Sequence, residues 1–237
     1  MAVIPQDLTI VYYTANAISD EFGRATRAEL SLAAHDYPII SVSMKPMDFG
    51  ENHVVSGSRS HINIYRQALY GAKKATTKYI ALCEDDILYS PEHFKRRPST
   101  DTVFAYNLGY WNIQTWGEPQ FSHKAGGRRN LHSLICNREL FINAMEERFA
   151  KYPYGTTDLS VWAEPGKYEQ FLGVTVQKTE EFYTNPPNIM FDHQTALSYN
   201  NLGSRKRLGE FRALELPYWG KAEVIRSLYK WVIYGPR

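Results

Sequence analysis

The chain has 237 residues, 43% hydrophobic and 22% charged, enough for a substantial core and too ordinary in composition for a disordered or fibrous protein. Its formal net charge of +2 does not mark a nucleic-acid surface unless basic residues cluster locally. The 14% aromatic content fits either rings that fill core and rim or a site that stacks sugars or bases.

The run L-T-I-V-Y-Y from Leu8 to Tyr13 is β-branched and aromatic and ends in the polar T-A-N, as a buried parallel strand ends in a loop. Ser19 then stands at the N-cap of a helix with Asp20 and Glu21 in its first turn. Phe22, Ala25, Leu30 and Ala33 give that helix its apolar spacing, to an end near His35. A second strand, I-I-S-V-S-M after Pro38, leads into a loop containing Gly and His. The next helix places Ile64, Ala68, Ala72 and Ala75 on its packed face and Asn63, Arg66 and Gln67 on exposed ones. Y-I-A-L-C is the third strand, so the chain to residue 87 alternates strand and helix, the order that builds a parallel sheet flanked by helices.

Glu84, Asp85 and Asp86 follow at the carboxyl end of that third strand. Burying an unpaired carboxylate costs several kcal/mol or more, so three at the edge of a core call for a cation or a substrate. Open α/β sheets bind ligands beyond the carboxyl ends of their strands. Carried through the triplet, strand alternation points Glu84 and Asp86 one way and Asp85 the other. Such a pair of carboxylates makes a hard-oxygen site suited to Mn²⁺ or Mg²⁺. Arg59 and Arg66 are available to pair a diphosphate, although an Arg on a helix face also serves as a solvated charge.

The second half is less regular. V-F-A-Y-N-L-G-Y-W-N-I reads as one strand, S-H-K-A-G-G-R-R-N as a mobile loop, S-L-I-C as a short strand, and N-R-E-L-F-I-N-A-M-E-E-R-F-A as an amphipathic helix capped by Asn137. T-T-D-L-S-V-W-A-E reads as a helix start capped by Thr156 or Thr157, and V-T-V-Q-K and N-I-M-F-D-H as strands. The tail, residues 201–237, reads as basic and helical. Val224, Ile225, Leu228, Trp231 and Val232 form an apolar stripe beside Lys221, Arg226 and Lys230, which suits docking on the sheet, a membrane surface or nucleic-acid phosphates. Lys95, Arg96, Arg97, Arg128 and Arg129 are expected to place basic patches near the cleft. With no repeat or linker in sight, one domain over 1–237 is the simplest organisation. Cys83 and Cys136, 53 residues apart, fit neither a disulfide framework nor a zinc site, and a reducing, cytoplasmic setting is expected. The sequence shows no signal-peptide pattern and no apolar run of membrane-spanning length.

The stretch R-Q-A-L-Y-G-A-K-K-A-T-T-K-Y-I-A-L-C-E-D-D-I-L-Y resembles the helix, strand and acidic-motif unit of nucleotide-sugar glycosyltransferases with the GT-A fold, in particular the family 2-like group. The resemblance covers roughly residues 7–90 well and 130–195 loosely. It implies a GT-A-type, Rossmann-like α/β domain with a mixed, mainly parallel sheet. Residues 1–90 would form the nucleotide-sugar-binding half and residues 91–200 the acceptor side. The family's Asp-x-Asp is matched by Glu84-x-Asp86. Tyr13, Thr14 and Asn16 would lie beside the nucleotide, with Glu84, Asp85 and Arg66 also on the donor side. Asp86 would hold Mn²⁺ or Mg²⁺, His193 is taken ahead of Asp192 as a further metal ligand, and Asp158 is the candidate catalytic base. Where the family often has Glu-Asp, this chain has Thr157-Asp158. The implied reaction moves a sugar from a nucleotide sugar, a UDP-sugar foremost, to a hydroxyl acceptor: a glycan, a glycolipid or modified DNA. A nucleotidyltransferase and a non-enzymatic carbohydrate- or nucleic-acid-binding module are the alternatives.

Overall fold

The computed structural model describes residues 6–158, 161–197 and 208–229. β1 (Leu8–Thr14) is buried along its whole length. Leu8, Ile10 and Tyr12 face one side of the sheet while Val11 and Tyr13 face the other, the alternation of a strand covered on both faces. α1 (Asp20–Ala34) begins at Ser19, whose hydroxyl accepts the Phe22 N–H. β2 (Ile39–Ser43) is followed by β3 (Glu51–Val54), a parallel edge strand where the sequence reads as a loop. Its E-N-H-V pattern hides it because an edge strand buries little apolar surface and tolerates charge.

α2 (His61–Lys74) starts at Ser60, which accepts the Asn63 N–H. Gly71 lets this helix lie close against the sheet: a Cβ there would stand 2.4 Å from Val11 Cγ1 and 3.1 Å from Val42 Cγ2. The close approach also changes which α2 residues are inside. Asn63 and Gln67, expected to be exposed, are buried, and only Arg66 of the three faces outward.

After β4 (Tyr79–Glu84), β5 (Ile87–Leu88) and α3 (Pro91–Phe94), the single strand expected from Val103 onward is two. β6 (Val103–Asn107) and β7 (Tyr110–Gln114) are separated at Leu108-Gly109 and belong to different sheets. Gly109 makes the corner, since a Cβ there would lie 2.8 Å from the Thr184 backbone nitrogen. β8 (Phe121–His123) occupies the start of the segment expected to be a mobile loop. β9 (Leu134–Asn137) and α4 (Arg138–Lys151) form as expected, with the Asn137 side chain accepting the Leu140 N–H. No α-helix forms over the described residues of 156–164. The helical turn comes later, at α5 (Glu169–Leu172), and the strand expected at 174–178 is shifted to β10 (Lys178–Phe182). β11 (Asn188–Asp192) matches its expected place.

The main sheet runs β10-β6-β9-β4-β1-β2-β3, and every pairing is parallel except the two made by β9. α2 and α4 cover one face, α1 and α3 the other. This is the mixed, mainly parallel, helix-flanked sheet that the GT-A resemblance implies. The sequence does not announce a second, five-stranded sheet, β12-β8-β7-β11-β5, whose outer strand is β12 (Phe211–Ala213).

β13 (Glu215–Leu216), β14 (Gly220–Lys221) and α6 (Ala222–Ser227) complete the described chain. The expected amphipathic tail helix forms in part, over Ala222–Ser227, with Ile225 and Leu228 of its apolar stripe packed against the cluster around Phe22 and Phe191. Val224 is exposed, and Trp231 and Val232 lie outside the described residues, as do residues 201–207 of the basic stretch. Leu216, Trp219, Ala222 and Tyr229 also pack with Phe22 and Phe191, and Trp219 Nε1 donates to the Pro187 carbonyl at 2.6 Å. Among the described residues no helix is long and apolar enough to cross a membrane.

Gly71→Val is expected to overpack the contact between α2 and β1 and lower stability by about 1–3 kcal/mol. Urea unfolding followed by circular dichroism measures the loss.

Candidate functional site

β4 ends at Glu84, and residues 85 and 86 form a turn. The Asp86 carbonyl accepts the Phe191 N–H at 2.9 Å, which ties the turn to β11. Strand alternation therefore stops one residue short of Asp85, and Glu84, Asp85 and Asp86 all line a single cleft of about 510 Å³. This corrects the expected division of the triplet into two sides.

Each carboxylate has its own partner. Tyr13 donates its hydroxyl to Glu84 at 2.8 Å, Thr14 donates to Asp85, and His193 Nε2 lies 3.1 Å from Asp86 Oδ2. Burial, reinforced by the charge of Asp86, pushes Glu84 up to about 8 despite the Tyr13 bond. The same two causes raise Asp85 to about 6 against the pull of Thr14. Near neutral pH Glu84 holds a proton, and the triplet carries less than its formal charge.

Tyr13 and Thr14 line the cleft as expected, and so do His193 and Asp192. The Asp192 carboxylate accepts from Asn112 Nδ2 at 3.2 Å. Asn16 is not part of the lining. Its side-chain carbonyl accepts the Met44 and Lys45 N–H groups, both at 2.9 Å, and so braces the loop after β1 against the end of β2. Arg66 is also outside: it donates to the Pro153 carbonyl and lies 5.7 Å from the centre of the Phe149 ring. The α2 residues that do face the cleft include Asn63 and Gln67. Gln67 fixes the end of β1 by donating to the Thr14 carbonyl at 2.8 Å.

Asp158 is exposed and does not line the cleft. The carboxylate that the same stretch supplies is Glu164, absent from the sequence reading. Glu164 pairs with Lys167 at 2.6 Å and is near enough for its charge to raise Glu84. Its loop is anchored from beneath. Arg148 and Glu169, 1% and 3% exposed, form an ion pair, Arg148 also donates to the Ala163 carbonyl, and Glu169 accepts the Gly166 N–H at 2.5 Å. Two buried charges that satisfy each other and the backbone specify one loop path, because removing either strands the other without compensation. No local pattern in W-A-E-P-G marks Glu164; the pairing that presents it joins residues 21 apart.

The basic residues divide similarly. Lys124, Arg128 and Arg59 line the cleft. Lys95 pairs with Glu92, Arg97 with Asp7 and Arg129 with Glu181, while Arg96 lies over the Phe182 ring; none of these four is in the lining. Among the described residues no three His, Cys, Asp or Glu side chains are grouped as a ready metal shell. The donor chemistry nonetheless fits a hard dication, because Asp85 and Asp86 are adjacent carboxylates whose repulsion raises a proton affinity that a cation would lower.

The raised Glu84 carboxyl weakens the fold as pH rises. Between its ordinary value of 4.5 and about 8, the folded chain keeps a proton that the unfolded chain has released. Its contribution is complete at low pH and gone above the upper value, with a slope of up to about 1.4 kcal/mol per pH unit. In EDTA, urea unfolding between pH 5 and 8 is expected to show stability falling with pH, and Glu84→Gln to flatten the upper part of that fall.

No protein-family model and no curated protein matches the chain. Solved structures do. The chain is similar to a glycosyltransferase involved in glycosylation of the major capsid of PBCV-1, at 11% identity and TM-score 0.44, over 77% of this chain and 93% of that one. It is similar to a 2-C-methyl-D-erythritol 4-phosphate cytidylyltransferase from Thermus thermophilus, at 12% identity and TM-score 0.44, over 74% and 88%. A nucleotidyl transferase from Methanothermobacter thermautotroptrophicus is similar at 14% identity and TM-score 0.40, over 73% and 86%.

Proposed function

We propose that this chain is a metal-dependent glycosyltransferase that moves a sugar from a nucleotide-sugar donor, a UDP-sugar foremost, to a hydroxyl acceptor. One observation carries the reading: a cleft at the carboxyl ends of β1 and β4 holds an acidic turn together with a separate carboxylate, Glu164. A diphosphate leaving group and an acceptor proton need groups of those two kinds.

Asp86, with Asp85 beside it, would hold Mn²⁺ or Mg²⁺, which supplies positive charge to the diphosphate as its bond to the sugar breaks. Arg59, Lys124 and Arg128 add fixed positive charge to the same cleft. Tyr13 and Thr14 hold Glu84 and Asp85 in place, and His193 does so for Asp86. Glu164 replaces Asp158 as the base. The acceptor oxygen bonds to the anomeric carbon, the bond to the diphosphate oxygen breaks with its electron pair leaving on the nucleotide, and Glu164 takes the acceptor proton. A glycan, a glycolipid or modified DNA could present that hydroxyl.

Incubation with Mn²⁺ and a panel of sugar nucleotides is expected to release nucleoside diphosphate slowly, with water as acceptor. Asp86→Ala is expected to cut that release by about 100-fold or more, while Asp158→Asn leaves it unchanged. Release of pyrophosphate from nucleoside triphosphates would establish nucleotidyl transfer instead. Ligand binding indifferent to EDTA and to Asp86→Ala would mark a binding module without this chemistry.

A further inference from the structure

Two of the cations that line the cleft share one loop. Lys124 and Arg128 lie between β8 and a 3₁₀ turn, Leu131–Ser133, and both belong to the lining. Gly126 and Gly127 set the path of that loop with φ of 75° and 59°, a left-handed backbone that glycine adopts without strain. The Gly127 N–H closes the turn on the Lys124 carbonyl at 3.0 Å. The Tyr110 hydroxyl donates to the Arg128 carbonyl at 3.2 Å and accepts from Asn130 Nδ2 at 2.8 Å. The loop backbone is therefore tied down, while Arg128 is exposed and Lys124 half-buried, so both side chains can be reached from the cleft.

The acids around this loop are engaged elsewhere. Arg129 takes Glu181 at 2.9 Å and Lys167 takes Glu164 at 2.6 Å. Glu210 accepts the Ala125 N–H at 3.0 Å and acts on Lys124 only through space. Among the described residues neither Lys124 Nζ nor the Arg128 guanidinium has a hydrogen bond or an ion pair. The loop also has a defined neighbour. Lys167 Nζ, bonded to the Glu164 carboxylate, donates to the Arg129 carbonyl at 2.7 Å as well, so one ammonium joins Glu164 to the residue beside Arg128. A base lies within hydrogen-bond reach of the proton it takes, and Glu164 therefore marks the place of the acceptor hydroxyl.

We propose that Lys124 and Arg128 receive an anionic group carried by the acceptor, a phosphate or a carboxylate near the hydroxyl that is glycosylated. This rests on the glycosyltransferase reading and adds the acceptor's class: an acidic sugar or a sugar phosphate rather than a neutral glycan. Arg128 supplies a planar fork that matches either group, and Lys124 a second charge. A nucleic-acid backbone fits less well, because it is met by cations repeated along a track. Lys95, Arg96, Arg97 and Arg129 are all held outside the lining.

The test uses the full chain with Mg²⁺ and the nucleoside diphosphate that calorimetry shows to bind most tightly, so that the metal end of the cleft is filled. Methyl glucoside, its 6-phosphate, its 6-carboxylate and inorganic phosphate are then titrated. The three anions are expected to move the ¹⁵N resonances of the Arg128 side chain saturably, a readout independent of how any variant folds. The two anionic glycosides are expected to bind about tenfold tighter than the neutral one, and their order tells phosphate from carboxylate. Arg128→Gln and Lys124→Gln are each expected to shrink that preference, Arg128→Lys to keep part of it, and Lys95→Gln, outside the cleft, to leave it whole. Arg128 resonances unmoved by every anion, equal affinity for all three glycosides, or a preference that survives Arg128→Gln and Lys124→Gln would each overturn the assignment while leaving the transferase reading intact. A DNA duplex that binds tighter than either anionic glycoside, with affinity falling steeply with salt, would replace it with a polyanion track. If the protein binds no nucleoside diphosphate, the transferase reading fails and the assignment to an acceptor fails with it.

Discussion

Three adjacent carboxylates at the end of a fully covered strand are the constraint around which the rest of the cleft is arranged. β4 is buried between two helical layers, so Glu84, Asp85 and Asp86 emerge where water is scarce and their mutual repulsion is poorly screened. The chain meets this in three ways at once. Glu84 keeps its proton and accepts from Tyr13, Asp85 accepts from Thr14, and Asp86 faces His193. Tyr13 and Thr14 reach their partners because β1 lies parallel and in register beside β4, Tyr13 opposite Glu84. His193 arrives because β11 is pinned to the turn through the Asp86 carbonyl.

The second sheet gives that arrangement its other wall. β7 and β11 run parallel and bring Tyr110, Asn112 and Asp192 to the cleft. The tail closes over the same region, with Trp219 and Tyr229 packed against Phe22 and Phe191. The Arg148–Glu169 pair performs the corresponding service for Glu164, trading two desolvated charges for one defined loop. Catalytic geometry of the proposed kind depends on such rigid backing, since a carboxylate displaced by an ångström no longer meets the proton it should take.

Much of the first half was legible in the sequence because its elements are local. Ser19 caps the helix that its hydroxyl predicts, as Asn137 does in the second half, and the apolar runs of β1, β2 and β4 lie where periodicity puts them. Asn63 and Gln67 were misread because polar side chains on a helix usually face solvent; here the ends of β1 and β2 accept from the Gln67 amide and make its burial tolerable, and Asn63 is buried beside it on the cleft wall. β3 and β8 escaped notice for the opposite reason, being short strands with little apolar signal.

The sequence by itself determined the alternation of strands and helices and the position of the acidic triplet at a strand end, because each follows from spacing along the chain; Tyr13, Thr14 and His193 entered as candidates through the resemblance to the glycosyltransferases. Only the tertiary structure decided that the triplet turns as one unit into one cleft, that Asn16, Arg66 and Asp158 stand outside it, and that Glu164 stands within. Those outcomes depend on contacts between residues far apart in sequence: Phe191 with Asp86, Arg148 with Glu169. No local pattern encodes such pairings, since their energies arise only once burial has removed water from both partners.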